Sequence, residues 1–553
     1  MKSETWYKIE TFVYLMVAVA LYGLQYMAWD GTYKDSDNYF HVLRVMGLIE
    51  NPTYWEQVFF YTNYPFGEIL HWTRALDIFL LGFTLPLLSI FPLKTAAFYG
   101  GLLVTPFLGV CAVYFLLRGG RLILRWNYRI LAAILFLVQA NVTRAIVFNR
   151  PDHHSLFVFL SAFIFWKMVE FAKLNNLKSL NWVAIATAFS LWTAAEGVFL
   201  AVVAFVFLVY GYLFLGYSYQ RLLRFAYIYA GGVILCWLAN PPYEGFWHID
   251  TGRLSLFYVC LAVSVVGILY VTQKIENKWK HIGAMGMLVI GLISFLWWLG
   301  WLESPLDERI IPLFVARISE MAEGNIYTLA YPVLGIFLGA MMFNQLKNDG
   351  AFIYLFLSAV LYGGLSFYTF RFVPYAGVYA ALIAALFVQD ILLKKQCKVL
   401  FATGCVLLEY VSFIIYALMG NVTLPPVLVI PLEYIQSLPR GTVATDLFFA
   451  PQMIWTGGHR VIASPYHRNV EGIIDNHQIF HSTDEKEVLR LIRKHRVDYV
   501  FLADGLKEES DYYVAPEKNC DKLYGKILGC GNVPDWLVPL EAPAGYLYRV
   551  DVK

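Results

Sequence analysis

Long apolar runs recur along most of this chain, and they limit its possible folds more than any other feature. A helix needs about 20 apolar residues to cross a hydrocarbon core about 30 Å thick, and runs of that kind recur from Glu10 to Met419. The chain is 59% hydrophobic and 17% aromatic, which excludes a soluble globular protein. From Asn421 onward, charged residues, prolines and short alternating segments replace the runs. The sequence therefore predicts a polytopic α-helical membrane domain over residues 1–420 and a soluble α/β domain over residues 421–553.

The basic residues predict the topology. Lys2 and Lys8 precede the first apolar run, so the positive-inside rule places the N-terminus in the cytoplasm. That run lacks a small-residue cleavage site after a short apolar core, which favours a retained helix over a signal peptide. A basic cluster at 118–129 is also expected in the cytoplasm, so only one of the two apolar stretches before it crosses. We assign 95–117 as the crossing helix, and we expect 76–93, which contains two prolines, to pack on the outer face or insert in part.

The same pattern continued along the chain gives about thirteen transmembrane helices. An odd number places the C-terminal domain outside, opposite the N-terminus, and we expect a multi-pass protein of a bacterial inner membrane with a periplasmic domain. The outer loops are then 29–75, 148–154 and 301–327. Cys520 and Cys530 lie in the outer domain, where a disulfide is favoured over two unpaired thiols.

Polar residues in these outer loops are candidates for function. Asp35 and Asp37 in the first loop suit a hard divalent cation such as Mg²⁺ or Mn²⁺, although a solvated acidic pair is the alternative. In the second loop, Asp152 precedes His153 and His154, a pattern equally compatible with metal coordination and with a helix end in the membrane interface.

Two further features lie later in the chain. Segment 317–324 contains Glu320 and Glu323 in a loop with enough glycine and charge to be mobile, so it is a candidate to close over a substrate. Arg371 begins an apolar helix, where an arginine is costly unless it is paired. Its planar guanidinium suits a phosphate, which the acidic groups on the same side favour over snorkelling to the interface.

Five short motifs follow one another along the chain in the order of a known family. They are Asp37-Asn-Tyr-Phe-His41, Tyr64-Pro-Phe-Gly67 continuing to His71, Arg150-Pro-Asp-His-His154, Ile318-Ser-Glu320, and Arg371. Through them the chain resembles, over nearly its whole length, the catalytic subunit of the oligosaccharyltransferases. Members of that family are GT-C integral membrane glycosyltransferases that use polyprenyl-linked donors, and their plan of about thirteen spans with an outer C-terminal domain agrees with the predicted topology.

The resemblance implies roles for individual residues. The catalytic residues would be Asp37, Asp152 and Glu320, the metal ligands Asp37, Asp152 and His154, and the donor phosphate ligand Arg371. Additional candidates are Asp35, His153, His467, Arg468 and Asn469. The cofactor would be a divalent cation, Mg²⁺ or Mn²⁺, which would polarise the acceptor or stabilise the departing diphosphate. His154 stands where the family has a carboxylate, and this exchange favours a borderline metal.

The soluble domain departs further from the family. It lacks the string Trp-Trp-Asp-Tyr-Gly, whose residues read the Ser or Thr of an asparagine-glycosylation sequon, and has Thr445-Asp446-Leu-Phe-Phe-Ala450 at the corresponding position. Its patterning predicts strands at 442–449 and 497–503 and a helix at 484–495. Segment 464–472, which contains His467, Arg468 and Asn469, either binds an acceptor, covers the active site or satisfies loop carbonyls.

The expected function is a metal-dependent, oligosaccharyltransferase-like glycosyltransferase that acts at the outer face on a polyprenyl-(di)phosphate-linked donor. Its acceptor is protein asparagine or, as the missing sequon reader encourages, a lipid or a growing glycan. The expected partners are this donor, the acceptor and membrane lipids, with no nucleic acid. A transporter or flippase of lipid-linked glycans also agrees with many spans and buried charges. The chain shows no duplicated pattern of interrupted helices, and its acidic groups gather on one side, which favours the transferase.

Overall fold

The chain folds into two compact units. The computed structural model describes residues 2–51, 58–304, 306–318, 321–392, 394–418, 433–504, 506, 512–542 and 545–552. We call Met1–Thr32, Trp72–Pro305 and Glu320–Asn421 the membrane unit, and Tyr33–His71, Leu306–Ser319 and Val422–Lys553 the sheet unit. Segments of two predicted outer loops therefore belong to the sheet unit. The predicted domain boundary at residue 421 lies outside the described residues.

The membrane unit is built from helices. Helix α2 (Ser36–Glu50) belongs to the sheet unit. The helices of the membrane unit are α1 (Lys2–Met27), α3 (Ala75–Leu87), α4 (Leu93–Gly120), α5 (Trp126–Val138), α6 (Ala140–Ala145), α7 (His153–Leu174), α8 (Leu177–Thr193), α9 (Val198–Phe214), α10 (Tyr219–Ala239), α11 (Leu256–Thr272), α12 (Lys278–Trp298), α13 (Ala330–Leu346), α14 (Gly350–Tyr368), α15 (Val373–Asp390) and α16 (Lys395–Leu418).

Many of these helices match the thickness of a bilayer. Within the described residues, nine helical segments are long and apolar enough to cross a membrane, and α3, α5, α11 and α13 are shorter apolar helices. The chain is thus a multi-pass membrane protein, and the total of about thirteen spans stays a prediction. The stretch predicted not to cross contains α3, whose 13 residues reach about 20 Å at 1.5 Å per residue, less than the hydrocarbon core.

Helix α15 forms the centre of the membrane unit. It packs against α13, α14 and α5, and its side chains are buried from Val373 to Val388. A helix that is apolar on every face can be buried in this way on all sides. One 3-10 turn, Phe370–Phe372, precedes it and carries Arg371, so the packing of α15 fixes where this arginine stands.

The sheet unit contains a five-stranded mixed sheet and short helices. Its further elements are β1 (Val58–Phe59), β2 (Glu68–Ile69), β3 (Thr442–Ala444), α17 (Ala450–Gly457), β4 (Arg460–Val461), α18 (Val470–His481), α19 (Glu485–Lys494), β5 (Val497–Ala503), β6 (Leu537–Leu540) and β7 (Gly545–Val550). The strand order is β4-β3-β5-β7-β6, in which β3 is parallel to β4 and β5, and β7 is antiparallel to β5 and β6. The small sheet formed by β1 and β2 is separate.

Of the elements predicted in the soluble domain, one strand and one helix are confirmed, and the other predicted strand is longer than the observed one. The strand at 497–503 is β5, and the helix at 484–495 is α19 with Asp484 as its N-cap, whose side chain accepts a hydrogen bond from the Lys486 amide. The predicted strand 442–449 ends at Ala444. Asp446 turns the chain by accepting a hydrogen bond from the Phe448 amide, and α17 begins soon afterwards with Pro451 in its first turn.

The region predicted as the first outer loop, 29–75, contains a helix. This is α2, which buries Tyr39, Phe40 and Val42 and packs against α17. Tyr39 lies against Trp455 with ring centroids 5.9 Å apart, and Phe40 against Tyr466 at 5.1 Å. Within the predicted outer loop, residues 36–50 are therefore helical, and aromatic side chains at helical spacing hold this segment in place.

The cysteines agree with the predicted pairing. Cys520 and Cys530 form a disulfide with Cα atoms 5.7 Å apart. The remaining five cysteines are free and lie in apolar helices of the membrane unit. A thiol in such a helix behaves as a small hydrophobic side chain.

Candidate active site

Helix α7 begins at the predicted acidic motif. Asp152, which follows Pro151, has an extended backbone at the N-cap position, with φ −132° and ψ 154°. The Ser155 hydroxyl donates to the Asp152 carbonyl at 2.7 Å and fastens the first turn. Because the Asp152 side chain does not cap its own helix, its carboxylate is directed to other partners.

The Asp152 carboxylate lies between two basic groups of the membrane unit. Arg150 Nη2 is 3.2 Å from Asp152 Oδ2, and His153 Nδ1 is 2.5 Å from Asp152 Oδ1. All three residues are buried. Burial raises the pKa of Asp152, but the neighbouring imidazoles and the Arg150 guanidinium hold it well below its usual range. Asp152 is therefore kept as a carboxylate, the form that binds a cation.

His154 has a different partner from His153. Its Nδ1 lies 2.6 Å from the Tyr375 hydroxyl at the start of α15, and its ring centroid is 4.3 Å from that of His153. One carboxylate and two imidazoles, all buried, make a mixed oxygen and nitrogen donor set. Such a set fits a divalent transition metal such as Mn²⁺ or Zn²⁺ better than Mg²⁺, which prefers oxygen ligands. Of these three residues, Asp152 and His153 have ligand atoms that lie together, whereas His154 Nδ1 contacts the Tyr375 hydroxyl, so a metal ligand from His154 would have to be its Nε2.

Arg371 has a carboxylate partner. Its Nη1 contacts Glu196 Oε1, and both side chains are largely buried. The sequence predicts that an arginine at this place needs a counter-charge, and Glu196, in the short turn before α9, supplies it.

Arg371 also lines a pocket of the membrane unit. Around it stand Asn141, Arg144, Ala145, Arg150, His154, Phe370 and Pro374. Arg144 lies over the Phe370 ring at 5.3 Å and was not among the predicted site residues. Three guanidinium groups on one pocket favour an anionic ligand.

The first predicted motif belongs to the sheet unit. Asp35 precedes α2 at the N-cap position, and Asp37 lies in the first turn of that helix. The Tyr33 amide donates to the Tyr39 hydroxyl at 3.3 Å, and their rings are 5.1 Å apart. The packing of this aromatic group fixes the N-terminal end of α2 and, with it, the backbone of Asp37.

The Tyr64–Gly67 segment of the sheet unit is anchored through its backbone. The Tyr64 amide donates to the Val461 carbonyl at 3.3 Å, and the preceding Asn63 amide donates to the Ile462 carbonyl at 3.1 Å, so the start of this segment lies along the edge at β4. Next to it, Glu68 is buried and accepts a hydrogen bond from the Ser464 hydroxyl at 2.8 Å. Burial raises the pKa of Glu68 to about 7.

The segment 464–472 has mainly structural contacts in the sheet unit. Asn469 caps α18, since its Oδ1 accepts from the Gly472 amide at 3.1 Å while its Nδ2 donates to the Ile462 carbonyl. These are the loop contacts that the sequence left open as one alternative. The ring of His467 lies 4.4 Å from that of His71, and Arg468 is half-buried beside it.

Glu320 lies outside the described residues, but the chain that leads to it is described up to Ile318. Ile310 and Phe314 are buried against Leu447 and Ile473 of the sheet unit. Arg317 Nη2 is 2.7 Å from Asp446 Oδ2, and its guanidinium lies 4.3 Å from the centroid of the Tyr512 ring. Residues 306–318 are thus a packed part of the sheet unit, although they fall inside the predicted mobile loop.

Sequence comparisons do not place the chain in a family. A scan of protein-family models gives no match, and a search of curated proteins gives none either. Structural comparison gives several matches, all at low sequence identity.

The structural matches define the class of fold. The chain is similar to the mycobacterial arabinofuranosyltransferase AftD, with a TM-score of 0.50 at 15% identity over 99% of this chain and 40% of that one. It is more similar to the apo oligosaccharyltransferase of Archaeoglobus fulgidus, with a TM-score of 0.69 at 14% identity over 91% of this chain and 70% of that one. The same archaeal enzyme, AglB, in complex with an inhibitory peptide and a dolichol-phosphate gives 0.68 at 14% identity, over 100% of this chain and 75% of that one.

The protein therefore has the GT-C fold of a membrane glycosyltransferase. Within that class its fold is similar to that of the archaeal oligosaccharyltransferase. The resemblance predicted from the motifs is confirmed at the level of the fold.

Proposed function

We propose that this protein is a metal-dependent glycosyltransferase that transfers a sugar or oligosaccharide from a polyprenyl-(di)phosphate-linked donor at the outer face of a bacterial inner membrane. The observation that carries the proposal is the group of buried charges at the start of α7, in a chain with the GT-C fold. There Asp152 pairs with Arg150 and His153, all buried. Buried charges in a membrane protein are expensive and mark functional sites.

The proposed ligands of the metal are Asp37, Asp152 and His154, with His153 and Asp35 as additional candidates. Asp37 enters on the sequence resemblance, and Asp152 and His154 also on their burial and donor chemistry. These residues would hold a divalent cation, which would act as a Lewis acid and stabilise negative charge on the departing phosphate oxygens. Arg150 holds the Asp152 carboxylate in one orientation through the contact at 3.2 Å.

Arg371 is the proposed ligand of the donor phosphate. As a nucleophilic atom of the acceptor bonds to the anomeric carbon, the bond from that carbon to the phosphate oxygen breaks, and the lipid phosphate leaves with the electron pair and gains negative charge. A guanidinium already oriented by Glu196 meets that charge without reorganising. Arg144, on the same pocket, adds a second positive charge. Glu320 is proposed to approach from its loop, as the resemblance implies.

The test is transfer of labelled glycan by the purified full-length protein from a lipid-linked donor in detergent or nanodiscs. Transfer is expected with Mn²⁺ or Mg²⁺ and not in EDTA. Asp37→Ala and Asp152→Asn are expected to reduce it by at least 100-fold. The matched control is Asp30→Ala, an exposed aspartate that accepts hydrogen bonds from Thr32, and it should leave transfer unchanged. Full activity of both site variants, or full activity in EDTA, would refute the mechanism.

A second candidate is transfer to a lipid or glycan acceptor instead of protein asparagine. The pair between Asp446 and Arg317 favours it, because Asp446 stands where the family's sequon reader begins and is bonded inside the sheet unit. Mass spectrometry of glycolipids and glycopeptides from cells with and without the gene separates the two. Loss of glycopeptides alone would support protein asparagine, and loss of glycolipid or polysaccharide alone would support this second candidate.

A further inference from the structure

Tyr375 makes a polar contact with one of the proposed metal ligands. Its hydroxyl lies 2.6 Å from His154 Nδ1, and both residues are buried in the membrane unit. The two side chains come from different helices, α15 and α7, and are 221 positions apart in sequence. None of the predicted sequence motifs contains Tyr375.

The ring of Tyr375 is held from several sides. Its centroid is 5.5 Å from that of Phe157, 5.8 Å from that of Tyr362 and 6.3 Å from that of Phe372. Tyr375 is also in the first turn of the most buried helix of the unit. A side chain packed in this way keeps one rotamer, so its hydroxyl stays at one place relative to the His154 ring.

A neutral imidazole carries hydrogen on one nitrogen and a lone pair on the other. If Nδ1 of His154 donates its hydrogen to the Tyr375 oxygen, the lone pair is on Nε2, which is the atom that can bind a cation. Partners of this kind, outside the ligand sphere, select the tautomer and the ring orientation of a ligating histidine. We propose that Tyr375 is a positioning residue that presents His154 Nε2 to a divalent transition-metal ion. This inference rests on the proposed metal site of the transferase.

The test measures metal binding directly and needs no glycan substrate. Purified full-length protein is titrated with Mn²⁺, and the free ion is followed by electron paramagnetic resonance. The variants are Tyr375→Phe, which removes only the hydroxyl, and His154→Ala, which removes the imidazole. The matched control is Tyr362→Phe, which removes a hydroxyl from the same aromatic cluster without touching His154. Equal thermal midpoints show that each variant is folded.

We expect Tyr375→Phe to weaken Mn²⁺ binding by about 10- to 100-fold, the usual effect of removing such a partner, and Tyr362→Phe to change it by less than about twofold. The visible absorption spectrum of bound Co²⁺ should also shift in Tyr375→Phe, because the histidine donor is no longer held in one orientation. A purely structural role would leave that spectrum unchanged.

The outcomes separate this inference from the proposed function. If His154→Ala weakens Mn²⁺ binding and Tyr375→Phe does not, the role of Tyr375 is refuted while the metal site stands. If Tyr362→Phe weakens binding as much as Tyr375→Phe, the effect is one of packing and the inference is again refuted. If the wild-type protein binds neither Mn²⁺ nor Co²⁺, the metal site itself is refuted, and the proposed mechanism falls with it.

Discussion

Replacing Glu68 by glutamine is expected to stabilise the sheet unit at alkaline pH. Glu68 is 3% exposed, and burial raises its pKa from 4.5 to about 7, with the hydrogen bond from Ser464 lowering it only in part. The fold therefore favours the neutral carboxyl group. The stability that depends on this neutral form is fully present below pH 4.5 and is lost as the pH rises through about 7.

The size of the effect follows from the shift. A rise from 4.5 to about 7 corresponds to about 3 kcal/mol at 1.36 kcal/mol per pKa unit, for a carboxyl group that is fully buried. Glutamine has nearly the same shape, keeps an oxygen that can accept the hydrogen from Ser464, and does not ionise. At roughly 2–4 °C per kcal/mol for a domain of this size, the variant should melt about 6–12 °C above the wild type at pH 8.

The assay is thermal unfolding of the full-length protein in detergent, followed by intrinsic fluorescence at intervals from pH 4.5 to 8.5. The wild-type midpoint should fall relative to that of Glu68→Gln across this range, and the two should converge at its acidic end. Glu541→Gln, which changes an exposed carboxyl group of the sheet unit, controls for the loss of one charge. Parallel profiles for wild type and Glu68→Gln would show that Glu68 ionises in the fold without a penalty, and the reasoning would be wrong.

Three other predictions concern the sheet unit. Asp446→Asn should destabilise it by about 3–5 kcal/mol, because Arg317 is left buried without its counter-charge, and thermal unfolding at pH 7 measures the loss. Burial raises the pKa of Asp475, but hydrogen bonds from His495 and Lys494 lower it below its usual value. The contribution of Asp475 to the stability of the fold is therefore present at neutral pH and is lost as the pH falls below about 4. The midpoint of Asp475→Asn should therefore be lower than that of the wild type at pH 7, and the difference should shrink towards pH 3.5. Replacing Cys520 and Cys530 together by serine should cost about 2–3 kcal/mol, the entropy of closing a short loop, measured as a lower midpoint that no longer responds to reductant.

Features set by neighbours in sequence were predictable. Helix α19 follows from the spacing of Val488, Leu491 and Ile492, which the structure buries on one face. The strand β5 follows from the apolar run Tyr499–Ala503, which is buried throughout. Asp152 and His153 are adjacent in the chain, and their pairing needs only the turn that begins α7.

Features set by distant partners were not predictable. An arginine near the start of an apolar helix indicates that some counter-charge exists, but Glu196 lies 175 positions away from Arg371, and nothing local identifies it. The same is true of Tyr375, whose sequence surroundings are those of an ordinary buried helix. Helix α2 was missed for another reason: its buried face includes Asn38, His41 and Arg44, and these polar residues interrupt the apolar period by which a helix is recognised.

The contacts of Asp446 bear on how an acceptor would be recognised under the proposed function. Its Oδ2 pairs with Arg317 at 2.7 Å and its Oδ1 accepts from the Phe448 amide at 3.0 Å, while the side chain is 1% exposed. A hydroxyl of an acceptor that took over this carboxylate would gain a hydrogen bond to a charged group, worth about 1.5–3 kcal/mol. It would also leave the buried Arg317 without a partner, at a cost of about 3–5 kcal/mol. The exchange is unfavourable on these magnitudes, so Asp446 serves better as an anchor for residues 306–318 than as a reader of Ser or Thr. Under the proposed function, recognition of the acceptor would then depend on side chains other than Asp446.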